Sequence, residues 1–306
     1  MSARRKKGLP TGALIALVAI AAVLCIVMVV VMYMDNHGML GGEKIETEEA
    51  AETEETEDAQ ESMNKVITED QTGGDHKILT GADIDEIEFP DFDSSLYMSD
   101  EAFKAVAPNH DNVDIEKLKK DTNPEIYAWL YIPQTEIDYP VLQHEDRVED
   151  GYYSDHNMQG DPDPKGALFT QYFNKKEFKD FLTVIYGSNN SDGTMFSKLN
   201  LYRDPEFFKS NPYMYIYTGD KILVYQTFAA YEYDAVHLIL YYCTNLDWMY
   251  VQYIDKLHEM PGIGSNVDES AWPNENDRLL TLSTHITGNE DKRFLVQAKL
   301  IGIKEL

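Results

Sequence analysis

The chain has 306 residues and a formal charge of −28 at neutral pH, with 54 acidic side chains against 26 basic ones. A charge of this sign argues against binding nucleic acid and against binding an anionic surface. The length is ample for one large domain or two modest ones, each with a real hydrophobic core.

The N-terminal segment has the pattern of a transmembrane anchor. From 13 to 32 there are twenty consecutive uncharged residues, and a helix of that length spans about 30 Å, the thickness of a bilayer core. Four basic residues at 4–7 precede it and Asp35 follows, so the positive-inside rule places 1–12 in the cytoplasm. The alternative is a cleaved signal peptide, whose apolar region normally runs only about 7–15 residues. We predict an uncleaved single-pass anchor over 13–34, with the rest of the chain extracellular.

The two cysteines bear on the kind of cell. Cys25 lies in the predicted anchor, which leaves Cys243 alone outside the membrane. No disulfide can then form within the extracellular part. An exported protein without disulfides fits a Gram-positive bacterium better than a eukaryotic secretory route.

An acidic segment follows the predicted anchor. Residues 43–75 hold thirteen acidic residues, two lysines and no aromatic residue. Such a segment cannot bury enough apolar surface to offset its chain entropy, so it is typical of a solvated, self-repelling stalk. We predict a disordered acidic stalk over 35–98 and a folded domain over 99–306, with order resuming between 84 and 99.

The remaining chain has a mainly β pattern. SDEAFKAVA from Ser99 and VDIEKLKKD from Val113 predict two short helices. From Leu246, apolar residues at helical spacing predict an amphipathic helix over 246–260, ending near Pro261. Between and after these helices, short aromatic and β-branched runs alternate with turn residues, which predicts a β-barrel or sandwich. The runs are WLYIP, YPVLQ, ALFTQYF, FLTVIYG, YMYIYTG, KILVYQTFAAYEY, RLLTLST and RFLVQAKLIGI.

Four stretches resemble the class B sortase family. NPEIYAWLYIPQTEIDYPVLQ (123–143) is similar to the family's opening strands, and KGALFTQYFN (165–174) to the strand and turn that follow. VIYGSNNSDGTMFSKLNLY (184–202) resembles a stretch that normally reads YGHN. RLLTLSTHITGNEDKRFLVQAKLI (278–301) resembles one that normally reads TLSTC, followed by an arginine at the start of the last strand. The resemblance implies a closed eight-stranded β-barrel with N-terminal helices and a helix between strands 6 and 7.

The resemblance also implies a site. Sortases cleave a sorting-signal peptide with a cysteine thiolate and pass the acyl group to an amine of the cell-wall precursor, helped by a histidine and an arginine. In this sequence the cysteine position is His285, the histidine position is Ser188 and the arginine position is Arg293. Only the arginine is kept, so the cysteine–histidine route is closed. The alternative for Arg293 is a surface ion pair with Glu290 or Asp291, which would contribute little.

Three interpretations of the altered site stay open. We favour a catalytically degenerate sortase that still binds a sorting-signal peptide, a cell-wall precursor or a partner protein. A swapped dyad would use Ser188 as nucleophile and His285 as base, although no carboxylate is obviously placed to orient His285. The third interpretation gives the nucleophile to Cys243, although a lone cysteine between aromatic residues is more often a small buried hydrophobe.

No other motif predicts a cofactor or a metal. DPDPKG at 161–166 resembles a calcium loop, but Lys165 and Tyr172 stand where acidic ligands belong. Metal spacing such as HExxH is absent around the remaining histidines considered, which are His144, His156, His237 and His258. We therefore expect no cofactor and no metal ion.

Overall fold

The computed structural model describes residues 87–147, 150–242, 244–262 and 264–306. The predicted cytoplasmic N-terminus, the predicted anchor, most of the predicted stalk and Cys243 lie outside the described residues. Within those described ranges, no helix has both the length and the apolar character needed to cross a bilayer.

Two short helices precede the strands, at the places where the sequence predicted them. Helix α1 covers Asp100–Lys104 and helix α2 covers Ile115–Asp121. Ser99 and Asp114 cap them, each accepting a hydrogen bond from the backbone N–H three residues on, at 3.2 and 2.9 Å. These caps satisfy amides that no carbonyl inside the helix can reach.

Nine strands of the described chain form one sheet. They are β1 Ile126–Tyr131, β2 Asp138–Leu142, β3 Leu168–Phe169, β4 Leu182–Tyr186, β5 Tyr213–Tyr217, β6 Lys221–Asp234, β7 Asn266–Val267, β8 Leu279–Ile286 and β9 Asn289–Glu305. Their order is β5-β1-β2-β3-β4-β8-β9-β6-β7, and β5 also pairs with β6. This last pairing closes eight strands into a barrel and leaves only the two-residue β7 outside the ring. The predicted closed eight-stranded barrel is confirmed, and closure removes the free strand edges at which other chains could add.

Three further helices connect the later strands. Helix α3 covers Pro205–Ser210, helix α4 Leu238–Tyr242 and helix α5 Asp247–Leu257. The last two lie between the sixth and seventh strands of the barrel, as expected. Helix α5 ends before the predicted residue 260 because its last turn tightens, with Glu259 N–H donating to Lys256 O at 2.9 Å. Short 3₁₀ helices complete the connections, at Ser94–Leu96, Tyr152–Ser154, Phe196–Arg203 and Glu269–Ala271.

Strand β8 separates two hydrophobic layers. Leu280 and Leu282 point into the barrel and are fully buried there. Leu279 faces the other way, into a second cluster that includes Tyr250 and Tyr253 of α5. Because side chains alternate along a strand, the odd-numbered positions of β8 lie on the outer face, which α5 covers near the start of the strand.

Residues 87–98, here called the N-terminal strap, pack on the barrel. The ring of Phe89 meets Phe181 edge-on at 5.3 Å between centroids, and Arg278 Nη2 donates to Pro90 O at 3.5 Å. Met98 N–H donates to Ile303 O at 2.8 Å. The packed domain therefore includes residues 87–98, which lie within the range predicted for the stalk. The physical reason is that the strap carries aromatic side chains, which the acidic run 43–75 lacks.

Candidate active site

The three predicted site residues lie at one end of the barrel. Ser188 follows β4 by two residues, His285 is the penultimate residue of β8, and Arg293 is near the start of β9. Strands β4 and β8 run parallel, with Tyr186 opposite Ser283. Strands β8 and β9 run antiparallel, with His285 opposite Arg293. The barrel topology thus brings the three predicted positions together.

The turn after β4 is joined to β8 through Asn189. The backbone N–H of Asn189 donates to His285 Nδ1 at 3.4 Å, and its side-chain Nδ2 donates to His285 O at 3.1 Å. Thr284 Oγ1 also donates to Gly187 O, at 2.7 Å. These bonds hold the backbone on both sides of Ser188 against the end of β8.

The contact to Nδ1 favours one tautomer of His285. A neutral imidazole has one N–H and one lone pair, and here the lone pair on Nδ1 accepts from Asn189. The hydrogen then lies on Nε2, which becomes a donor. A general base needs its lone pair directed at the nucleophile, but within the described residues no hydrogen bond joins Ser188 Oγ to His285. The arrangement does not favour the swapped dyad.

Arg293 is fixed by backbone carbonyls. Its Nη1 donates to Glu290 O at 2.9 Å and to Lys292 O at 3.0 Å. Among the described residues no carboxylate lies within ion-pair distance of its guanidinium, so the surface pair considered for Glu290 or Asp291 is not formed. The neighbouring Lys292 is the residue that makes an ion pair, with Asp234 at 2.5 Å.

Three tyrosines, Tyr186, Tyr233 and Tyr242, are here called the tyrosine cluster, and two of them, Tyr186 and Tyr233, lie near Arg293. Tyr233 lies opposite Arg293 across β6 and β9, and its hydroxyl is 2.5 Å from that of Tyr242. Burial raises the pKa of Tyr186 well above its ordinary value, with the charge of Asp150 adding to the rise and that of Arg293 opposing it. Tyr186 therefore lies in the electric field of Asp150 and Arg293.

Asp150 is a further charged group near the site. One of its carboxylate oxygens accepts the N–H of Tyr172 at 2.8 Å. Burial raises the pKa of Asp150 to about 6, against the smaller lowering effects of that hydrogen bond, Arg147 and His144. Sequence reasoning missed Asp150 and the tyrosine cluster. The retained YGSN turn was the one signal that could have indicated the role of Asn189.

Two cavities of the described structure differ in their distance from the site. One of about 200 Å³, next to the turn that follows Ser188, is lined mainly by apolar atoms, with Met158, Leu168 and Met195 among its residues. A second, of about 990 Å³, lies at the opposite end of the barrel, between the N-terminal strap and the β5–β6 turn. In the described residues no group of three or more His, Cys, Asp or Glu side chains is placed to hold a metal ion.

The site thus presents hydrogen-bond donors without an activated nucleophile. His285 offers Nε2–H, Arg293 offers a fixed positive charge, and Ser188 offers a hydroxyl with no basic partner. Such a set can bind an acceptor-rich group, but it cannot form and release a thioester. The interpretation based on Cys243 stays a prediction, because that residue is outside the described ranges.

Comparisons with known proteins identify relatives by sequence and by fold. No protein-family model matches the chain. It is 34% identical over 201 residues to Sortase B of Listeria monocytogenes, covering 61% of this chain and 73% of that one. It is 26% identical over 196 residues to Sortase B of Staphylococcus aureus, covering 63% and 77%. Among solved structures, Clostridium perfringens sortase B is similar with a TM-score of 0.54 and 28% identity, covering 61% of this chain and 99% of that one. A Staphylococcus aureus sortase B–substrate complex has a TM-score of 0.53 and 27% identity, covering 65% and 91%.

Proposed function

Because this chain belongs to the class B sortases, we propose that it is a degenerate member that binds a sorting-signal peptide, a cell-wall precursor or a partner protein without cleaving it. The observation that carries this proposal is the hydrogen bond that His285 accepts and its place in the sequence. Its Nδ1 accepts the N–H of Asn189, and the resemblance of the sequence around it assigns it to the position of the family's nucleophilic cysteine.

The chemistry of the substituted groups supports the loss of transpeptidation. The family reaction needs a nucleophile that attacks an amide and later leaves from a thioester, which a thiolate does well. Imidazole can attack acyl groups, but an acyl-imidazole is too labile to wait selectively for an amine. Ser188 lacks a basic nitrogen, so it cannot transfer protons near neutral pH as a histidine does.

Retained architecture supports continued binding. The ends of β4, β8 and β9 are in place, and Arg293 is fixed by two backbone carbonyls. A solved relative, sortase B of Staphylococcus aureus, was obtained as a substrate complex. In this chain we place a peptide ligand at the end of the barrel that carries Ser188, His285 and Arg293.

We place the domain outside a Gram-positive cell, held by the single-pass anchor over 13–34. The uncharged run and the basic cluster before it support this orientation. Protease added to intact cells is expected to remove the C-terminal domain and leave a membrane-bound stub. A domain that stays protected until the cells are lysed would refute the orientation.

The proposed loss of peptide cleavage is tested on the full chain in detergent. We expect no peptide cleavage and no acyl-enzyme by mass spectrometry when the protein is mixed with a class B-type sorting peptide. We also expect no labelling of Ser188 by a fluorophosphonate probe, because no basic nitrogen is directed at its hydroxyl. Labelling of Ser188 that disappears in His285→Ala would overturn the proposal and establish the swapped dyad.

A further inference from the structure

The guanidinium of Arg293 has an open edge. Its Nη1 hydrogens are used by Glu290 O and Lys292 O. Within the described part of the chain, Nε and Nη2 have no hydrogen-bond partner and no carboxylate within ion-pair distance. Nε–H and one Nη2–H point to the same side of the planar group, which is the geometry that receives both oxygens of a carboxylate.

His285 adds a donor next to that edge. The two residues are directly opposite on adjacent antiparallel strands, so their side chains share one face, with Cβ atoms about 4.5–5.5 Å apart. The imidazole is exposed, and its Nδ1 is already used by the Asn189 N–H. Nε2–H is therefore the group that His285 offers to a ligand.

The surroundings also suit the end of a peptide. Ser188 is half-buried and its hydroxyl makes no hydrogen bond to any described residue, so it is available to a ligand. The tyrosine cluster is only partly buried, and its Tyr233 lies directly opposite Arg293, so that this ring gives apolar surface beside the charged donors. A mid-chain amide has one carbonyl oxygen and no charge, whereas a terminal carboxylate has two oxygens and a full negative charge.

We propose that this site recognises the C-terminal carboxylate of a peptide, held by the Nε–Nη2 edge of Arg293 and by His285 Nε2–H, with the preceding side chains on the tyrosine cluster. This inference rests on the proposed function, because it names the ligand class of that same site. Such a carboxylate ends both a cleaved protein and a stem peptide of the cell wall.

Long-range attraction cannot account for such binding. The chain carries a net charge of −28, and Glu290 and Asp291 are exposed beside the site. Recognition must come from short-range, charge-assisted hydrogen bonds, which are about twice as strong as neutral ones. Affinity for the carboxylate is therefore expected to be specific to the fixed arginine and insensitive to a nearby charge that makes no contact with the ligand.

The test uses matched peptides and the full chain in detergent micelles. A pool of N-acetylated hexapeptides is prepared twice, once with free C-terminal carboxylates and once with C-terminal amides. Equilibrium dialysis with mass spectrometry selects and identifies bound peptides. We expect selected sequences to bind at least about tenfold more tightly as carboxylates than as amides, the effect of one charge-assisted pair. A third pool has peptides that end in D-alanine. Preferred binding of this pool would indicate a stem peptide as the source, and preferred binding of the first pool would indicate a cleaved protein.

Two variants separate recognition from general charge. Arg293→Gln is expected to abolish the difference between carboxylate and amide pools, and Arg293→Lys to keep only part of it, because lysine is a point charge without a planar fork. Lys292→Gln removes the same charge from the next residue and should leave the difference unchanged. Thermal unfolding checks that each variant is folded.

The possible failures are distinguishable. If both pools bind equally well, the protein is a peptide-binding module and carboxylate recognition is wrong. If Lys292→Gln weakens binding as much as Arg293→Gln, the preference is a general charge effect and the proposed contact is also wrong. If neither pool binds the folded wild-type protein, peptide binding itself is refuted, and the carboxylate inference is refuted with it.

Discussion

Asn189 and His285 are joined by two hydrogen bonds, from the backbone N–H to Nδ1 at 3.4 Å and from the side-chain amide to the carbonyl oxygen at 3.1 Å. The second bond fixes the backbone of β8 against the turn after β4 whatever side chain stands at position 285. The backbone frame between the turn after β4 and the end of β8 thus does not depend on the side chain at position 285. Catalysis depends on such placement to within a fraction of an ångström.

Placing a histidine at position 188 and a cysteine at position 285 is expected to give the site acyl-transfer chemistry. The double variant Ser188→His with His285→Cys should form a thioester or release amine from a class B-type sorting peptide, detected by mass spectrometry. Each single substitution should do far less, because a cysteine without a base is mostly thiol and a histidine without a thiol has nothing to activate. The matched control adds Arg293→Ala to the double variant. A folded double variant that neither acylates nor cleaves would show that the surrounding groove has diverged.

A buried network on the outer face of the barrel is expected to be a large source of stability. Gln297 accepts from Tyr231 Oη at 2.7 Å and donates to Tyr253 Oη at 2.8 Å and Thr281 Oγ1 at 2.9 Å. Gln297→Leu should lower the free energy of unfolding by about 3 kcal/mol, because three buried hydroxyl groups lose a partner. Urea denaturation measures the change.

The control for that substitution is Gln226→Leu on β6. Gln226 is half-exposed, and its side chain makes no hydrogen bond to any described residue. A change within about 0.5 kcal/mol is expected there. If Gln297→Leu and Gln226→Leu lower the free energy of unfolding equally, the hydrogen-bond network around Gln297 contributes no stability of its own.

Asp180 is expected to make stability fall as pH rises. The residue is fully buried, and burial raises its pKa to about 7, with hydrogen bonds from the backbone, including Lys175 N–H, lowering it only in part. The folded state therefore binds a proton more tightly than the unfolded state. The stability that this proton contributes is complete below the unfolded pKa of about 4 and is lost as the pH rises through about 7.

Asp180→Asn should remove that dependence. Melting temperatures at about pH 5 and about pH 8 are compared for wild type and variant, and the variant should lose less stability at the higher pH. His237, whose pKa burial lowers to about 4, acts in the opposite sense in both proteins and cancels in the difference. Asp255→Asn, at an exposed position, is the control. An unchanged pH dependence in Asp180→Asn would show that the buried carboxyl is not protonated in the folded state.

The N-terminal strap and the acidic run should differ in their effect on folding. Deleting 43–75 from the full chain is expected to leave the thermal unfolding of the barrel nearly unchanged, because the run lacks residues that could join a core. Phe89→Ala should destabilise the barrel by about 1–2 kcal/mol through lost contact with Phe181. A large loss of stability on deletion would show that the acidic run docks on the folded domain.

The sequence predicted the strands better than the connections between them. All eight aromatic-rich runs became strands of the barrel, because their short spacing and turn residues are local signals. Helix α3 was missed although Asp204 and Pro205 form a clear N-terminal cap, with Asp204 Oδ1 accepting from Glu206 N–H at 2.8 Å. The two-residue β7 had no local signal, since its pairing depends on where α5 returns the chain.

The proximity of Ser188, His285 and Arg293 could be predicted from the sequence, but the tautomer of His285 could not. Family motifs located Ser188, His285 and Arg293, and the barrel brings their strand ends together. The tautomer of His285 depends on a contact with a residue 96 positions away in sequence. The open edge of Arg293 likewise depends on the path of the first residues of β9, where the carbonyl oxygens of Glu290 and Lys292 accept from Nη1. Neither contact has a local sequence signature.

Strand β9 has a mechanical consequence. Arg293 lies near its start, and Ile303, to which Tyr97 pairs in parallel and Met98 donates a hydrogen bond at 2.8 Å, lies near its end. A pull between a ligand held at Arg293 and the chain that enters through the strap would run about 33 Å along this one strand. Its hydrogen bonds to β6 and β8 stand perpendicular to that direction. A pull along the strand would load all of these hydrogen bonds together in shear, and a sheet resists tension best in that geometry. We therefore expect that a protein tethered at one end and pulled through its ligand at the other loses the ligand before the barrel unfolds.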